Sequence, residues 1–233
     1  MVLKFIDIYN RVAEQAWSMY DAEVESKDEF EAGLSSSIQK ALSDLWCSYP
    51  FPFRVKPHSF VTEIDIAQYD MPCGDIYEMS DNYSNRYDIM VQGGNYLEYL
   101  SPLNLQNKNK DDKGLPKYFS ILNNKIILSP TPDDIYTIDC NYLSLYVGKN
   151  KDGDDIFNLV QEDDYIDIDI KYEDLFLNTL ITKSMCYAIA SQTDENYSGY
   201  QSQYLSAYKN LINCVNGLKI EKRITWWLLP MQN

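Results

Sequence analysis

The sequence predicts an α+β protein: a bundle of N- and C-terminal helices, an antiparallel β-domain inserted between them, and an extended C-terminal arm. Three observations predict it. Apolar residues recur at helical spacing near both ends of the chain. The middle consists of short β-branched and aromatic runs broken by Pro, Gly, Asn and Asp. The last residues are apolar, where chain ends are ordinarily polar.

The first helix is carried by Leu3, Ile6, Tyr9, Ala13, Ala16 and Tyr20. Ser26 with Glu29 fits a capping box, in which each side chain satisfies a backbone donor of the other. The helix it opens places Phe30, Leu34, Ile38, Leu42, Leu45 and Tyr49 on one face. Pro50 and Pro52 end it, since each removes a donor and restricts the residue before it. Strands are expected near residues 58–64, 75–79 and 87–91. Residues 118–129 form the clearest hairpin, because Asn123-Asn124 can adopt the positive φ angles of a two-residue turn. Ile135, Thr137, Asp139, Asn141 and Leu143 then alternate with Tyr136, Ile138, Cys140 and Tyr142 in a long strand. Residues 104–117, rich in Asn, Lys and Asp, read as an exposed loop. Helices resume at about Tyr172, with Leu175, Leu180, Ile181, Met185, Ala188 and Ile189 in one stripe. Thr193 is placed to cap a last helix through Tyr197, Tyr200, Tyr204, Tyr208, Leu211 and Val215, and Gly217 to end it. The domains expected are residues 1–50 and 171–218 for the bundle, 51–170 for the β-domain and 219–233 for the arm.

That arm includes Ile224, Trp226, Trp227, Leu228, Leu229, Pro230 and Met231. Leaving two indoles and two leucines in water would forfeit several kcal/mol, at roughly 25 cal/mol per Å2 of apolar surface. These residues are therefore the candidate protein-binding site. They fold back on the chain's own core or insert into a neighbouring chain.

Of 233 residues, 45 % are apolar, enough for a packed core. Twenty tyrosines stand against eight phenylalanines, and tyrosine joins buried ring area to a hydrogen-bonding tip, as interfaces require; AT-rich codon usage would also raise Tyr, Asn, Ile, Lys and Asp. The formal net charge of −15 argues against tight nucleic-acid binding, which needs a basic face, and suits a surface that nucleic acid passes without sticking. Five scattered cysteines, none spaced as C-x-x-C, suggest buried thiols in a reducing cytoplasm. The N-terminal stretch carries Asp7, Arg11 and Glu14, unlike a signal peptide. Residues 175–190 contain Asn178, Thr182 and Lys183 and fall short of a membrane span.

Chemistry-bearing patterns are weak. His58 is the single histidine and sits between Pro57 and Ser59 without a nucleophile or further ligands, so it reads as a packing residue. Asn150, Asp152 and Asp154 match the first positions of a calcium loop. The pattern then fails at Asp155, where Gly belongs, and at Gln161, where Glu belongs. The remaining carboxylates of residues 152–174 read as a solvated acidic loop. A glycosidase pair among them has only their abundance behind it. Phosphate-cradling and nucleophile-elbow glycine motifs do not occur. No catalytic residue, cofactor or metal is expected.

Trp46 through Phe53 closes the second helix with a Trp and a Pro-Phe pair. Tyr69 and Pro72 form Y-x-x-P, and residues 126–132 read I-x-L-x-P-x-P. With helices at both ends and a protruding tail, the chain resembles the head-to-tail adaptors of short-tailed phages, the group of tail tubular protein A and the ring protein of crAss-like phages. The resemblance spans nearly the whole chain and rests on structural residues. It implies a structural virion protein: a homo-oligomeric ring, a dodecamer in that family, between the portal protein and the tail nozzle or next ring protein; the residues themselves show no site for an enzyme activity. DNA would pass through the channel without specific binding, and no membrane is involved. A closed ring needs two different patches on each subunit; the arm and the tyrosine stripe of the last helix are the candidates, with core packing the competing role for the stripe. The alternative is another tail or baseplate subunit with a carbohydrate-binding β-domain, for which aromatic rings exposed on that domain would speak.

Overall fold

A computed structural model describes residues 2–17, 27–80, 85–108, 112–189 and 194–227, with 17, 27–32, 79–80, 85–86, 189, 194–196 and 218–227 described by backbone alone. In chain order the elements begin with strand β1 (Leu3–Lys4) and helices α1 (Phe5–Trp17) and α2 (Lys27–Cys47). A 3-10 turn (Pro52–Arg54) leads into strands β2 (Val55–Val61), β3 (Gln68–Asp70), β4 (Gly74–Ile76), β5 (Glu78–Ser80), β6 (Asn85–Tyr87), β7 (Ile89–Val91) and β8 (Glu98–Tyr99). Helix α3 (Pro102–Asn107) precedes β9 (Tyr118–Leu122), β10 (Lys125–Ser129) and β11 (Thr137–Ser144). Short strands β12 (Gly148–Lys149), β13 (Asp155–Ile156) and β14 (Tyr165–Ile166) lead to α4 (Ile170–Ile189) and α5 (Asp194–Trp227). The fold is α+β, with sheets that are antiparallel apart from the β8–β9 pair. Contacts divide it into two units, Met1–Phe53 with Tyr146–Asn233, and Arg54–Leu145.

In the first unit α4 is the central helix, and α1, α2 and α5 all pack on it. Its burial is nearly all-round, which is why its apolar residues form no narrow stripe. Polar residues survive there because their hydroxyls turn back to the helix: Thr179 Oγ1 donates to the Leu175 carbonyl at 2.6 Å, and Ser184 Oγ to that of Leu180 at 2.8 Å. In α2, Leu34, Ile38, Leu42 and Leu45 are buried as their spacing predicts. Helix α1 differs in part from expectation. Leu3 is buried but lies in β1, paired with Ile166; Ala16 is buried as expected, together with Phe5, Ile8 and Val12, while Tyr9 and Ala13 pack half-buried against the core. Ser26, Thr193 and Tyr20 lie outside the described residues.

The residues that close α2 are the densest part of this core. Trp46 and Phe53 lie 5.4 Å apart, and Phe51 stacks on Phe53 at 5.0 Å with an 8° interplanar angle. Phe176 of α4 meets all three edge-on, at 6.3 Å from Trp46, 6.2 Å from Phe51 and 5.4 Å from Phe53. Edge-to-face contacts set the positive ring edge against a negative face, which adds to the area each ring buries. The prolines between these aromatics stop the helix and turn Phe51 and Phe53 back onto it.

The acidic stretch is ordered by its own carboxylates. Asp164 is buried and its Oδ2 accepts from the Val160 and Gln161 amides at 2.6 and 2.7 Å, while Lys4 pairs with Asp163 at 2.8 Å and Lys149 with Asp155 at 3.0 Å. In β12, a Cβ at Gly148 would run into the Tyr165 carbonyl and the Leu159 side chain. Gly148→Ala is therefore expected to destabilise this unit by about 1–3 kcal/mol, read as a lower urea midpoint with unchanged slope.

In the second unit one sheet has the order β3-β10-β9-β8 and another β2-β11-β4, with β7 also on β11. Phe119, Ile126 and Leu128 from the first sheet and Ile76, Ile89, Val91 and Ile138 from the second form one core. The β9–β10 hairpin turns as predicted through Asn123 and Asn124, at φ 52° and 59°. Within the expected loop 104–117, residues through Asn107 are helical instead. Ser101 accepts from the Asn104 amide and Pro102 supplies the fixed φ of a first turn.

Candidate docking surfaces

Helix α5 runs Asp194–Trp227, about 51 Å at 1.5 Å per residue. Gly217 does not end it. Glycine costs about 1 kcal/mol inside a helix against alanine, and the residues that follow it continue the backbone pattern. The expected arm 219–233 therefore begins as helix. Ile224, Trp226 and Trp227 lie on its last turn by backbone, and Leu228, Leu229, Pro230 and Met231 lie outside the described residues. From Val215, which is buried, the helix backbone rises about 18 Å to Trp227.

The tyrosine stripe of α5 is used within the chain. Leu211 and Val215 are buried in the helical core, Tyr200 and Tyr208 pack half-buried against it, and Ala207 is also buried. The Lys183 ammonium sits 4.5 Å from the Tyr204 ring centroid and 5.0 Å from that of Tyr187, so one cation is shared by two π faces. Tyr49 donates to Asn216 Oδ1 at 2.7 Å, tying the end of α2 to α5, and Tyr187 donates to Asp44. Burial raises the phenols of Tyr200 and Tyr204; burial first and the Asp44 carboxylate second raise that of Tyr187. These phenols stay neutral at physiological pH. Core packing is the role of the stripe here, while Leu205 beside it remains exposed.

The other singled-out residues resolve into structural roles. His58 is half-buried on β2, opposite Cys140, with its ring 6.1 Å from Phe60 and 6.3 Å from Tyr142. In the calcium-like loop, Asn150 Oδ1 accepts from the amides of Asp152 and Asp154 at 3.0 and 2.8 Å, and its Nδ2 donates to Asp154. The oxygens a cation would use hold the turn closed instead. Among the described residues no group of three or more His, Cys, Asp or Glu is placed to hold a metal ion. No described helix is long and apolar enough to cross a membrane. Of the cysteines, expected as buried thiols, Cys140 and Cys186 are buried and Cys47 is exposed. Burial, helped by Asp88 and Asp139, pushes the Cys140 thiol up to about 12.

Sequence reasoning missed the tip of the β-domain, where Val61, Ile64, Ile66 and Ile135 stand exposed. Each was assigned to a strand or passed over, although three aliphatics interleaved with Glu63 and Asp65 were visible.

Residues 6–223 match the SU10 adaptor protein family, and the chain belongs to it: it is a structural adaptor protein of the phage virion. The match ends just before Ile224. Comparison with curated proteins finds no match.

Proposed function

We propose that the chain is the subunit of a head-to-tail adaptor ring, of the kind formed by tail tubular protein A and the crAss-like ring protein. The ring joins the portal to the tail nozzle or next ring protein and surrounds the DNA exit channel. The observation that carries this reading is the adaptor-family match over residues 6–223. The net charge of −15 supports it, since like charges let DNA slide past without capture. In this reading the segment from Ile224 to Met231 inserts into a neighbouring subunit or the portal, burying its indoles there. Exposed large apolar side chains described in Arg54–Leu145 are aliphatic except for Tyr99, a composition suited to protein contacts more than to sugar rings.

An amber codon early in the gene tests the reading. DNA-filled heads without tails, restored to tailed particles by the wild-type chain supplied in trans, are the expected product in a non-suppressing host. Normal tailed virions lacking this chain would refute the proposal.

A further inference from the structure

The β-domain carries an apolar tip formed by two adjacent loops, 61–66 and 132–136. Val61 is 57 % exposed, Ile64 56 %, Ile66 44 % and Ile135 65 %. Branched aliphatics so exposed normally sit singly or on loose loops. These sit on a backbone fixed from several sides. The buried Thr62 hydroxyl donates to the Asp134 carbonyl at 3.2 Å and accepts from the Tyr136 amide at 2.8 Å. Asp65, in the left-handed region at φ 66°, donates its amide to the Pro132 carbonyl at 2.9 Å. The Tyr69 hydroxyl donates to the Ile66 carbonyl at 2.6 Å and accepts from the Glu63 amide at 3.0 Å, which accounts for the tyrosine of the Y-x-x-P segment. Lys113 pairs with Asp65 at 2.6 Å, and Tyr136 donates to Asp133 at 2.7 Å.

Loops braced in this way display their aliphatics at fixed positions before any partner arrives, so little ordering entropy is lost on binding. The rim is acidic: Glu63, Asp65, Asp133 and Asp134 are all exposed, and Lys113 pairs with Asp65. Two copies of the tip set face to face would oppose carboxylates to carboxylates, which disfavours a self-contact. We infer that the tip formed by Val61, Ile64, Ile66 and Ile135 docks against another protein's surface, one with an apolar centre and a rim of lysine and arginine. The inference rests on the adaptor reading only in placing the chain in a virion.

Zero-length carbodiimide cross-linking of purified virions, followed by peptide mass spectrometry, tests the rim. Glu63, Asp133 or Asp134 is expected to link to lysines of a different virion protein, with the Asp65–Lys113 link as internal control. Links to lysines of another copy of this chain, or the internal link alone, would overturn the inference. An Ile135→Cys variant tests the apolar centre, since a substitution at so exposed a position leaves the fold intact. Maleimide labelling at residue 135 is expected to be about tenfold slower in virions than in the free chain, as for a side chain desolvated in an interface core. Equal rates overturn the docking, and protection without cross-links to another protein overturns the basic partner. Virions without this chain would sink the adaptor reading itself, and this inference with it.

Discussion

Phe176→Ala is expected to destabilise the helical unit by about 3–5 kcal/mol, the largest effect of any single substitution considered for this chain. Phe176 is fully buried on the central helix and is the ring on which Trp46, Phe51 and Phe53 converge. Removing it leaves a cavity and strips three edge-to-face contacts together. Because the surrounding rings come from the end of α2 and the turn after it, relaxation into the space would displace the Pro-bounded segment as well. Urea unfolding followed by tryptophan fluorescence reads the change directly, with Trp46 lying against the altered site. Phe176→Leu keeps most of the volume and is expected to lose about half as much or less. Equal losses for the two variants would mean that ring geometry, rather than filled space, holds this core.

Deletion of Ile224–Asn233 is expected to abolish assembly while leaving the fold intact. The deletion removes none of the residues described in the helical core, whose α5 members are Leu211 and Val215. The apolar content of the deleted residues, on the proposed reading, is covered by another chain. The truncated protein should keep the wild-type circular dichroism and urea midpoint but sediment as a monomer in the presence of portal. A truncated chain that unfolds at lower urea would place the segment in the chain's own core, and one that still joins the ring would remove it from the interface.

Where the sequence was legible, a local physical demand was written in residue types. The α2 stripe, the proline stop after Tyr49 and the Asn123-Asn124 turn each answer one such demand, and each is observed. The α4 stripe was readable only in part, because a helix contacted by three others is buried on more faces than periodicity can mark. Helix α1 was legible in part: Ala16 is buried and Tyr9 and Ala13 pack on the core, but Phe5, Ile8 and Val12 carry most of its buried face, and Leu3 belongs to a strand pair with Ile166 that is 163 positions distant in sequence and leaves no local trace. Gly217 misled for a different reason: a lone glycine is a stop signal only when the following chain cannot stay helical, and Leu218-Lys219-Ile220-Glu221 can. The candidate arm was legible as an apolar chain end, while the β-domain tip was not, because its two loops meet only through tertiary hydrogen bonds.

The central claim is that this chain forms a ring joining the portal to the tail. Electron microscopy of the purified chain mixed with the portal from the same phage tests it most directly. The expected image is a ring of added density capping one face of the portal, with its symmetry giving the copy number. Bare portals beside a well-folded monomer of this chain, in the presence of every other neck protein, would contradict it.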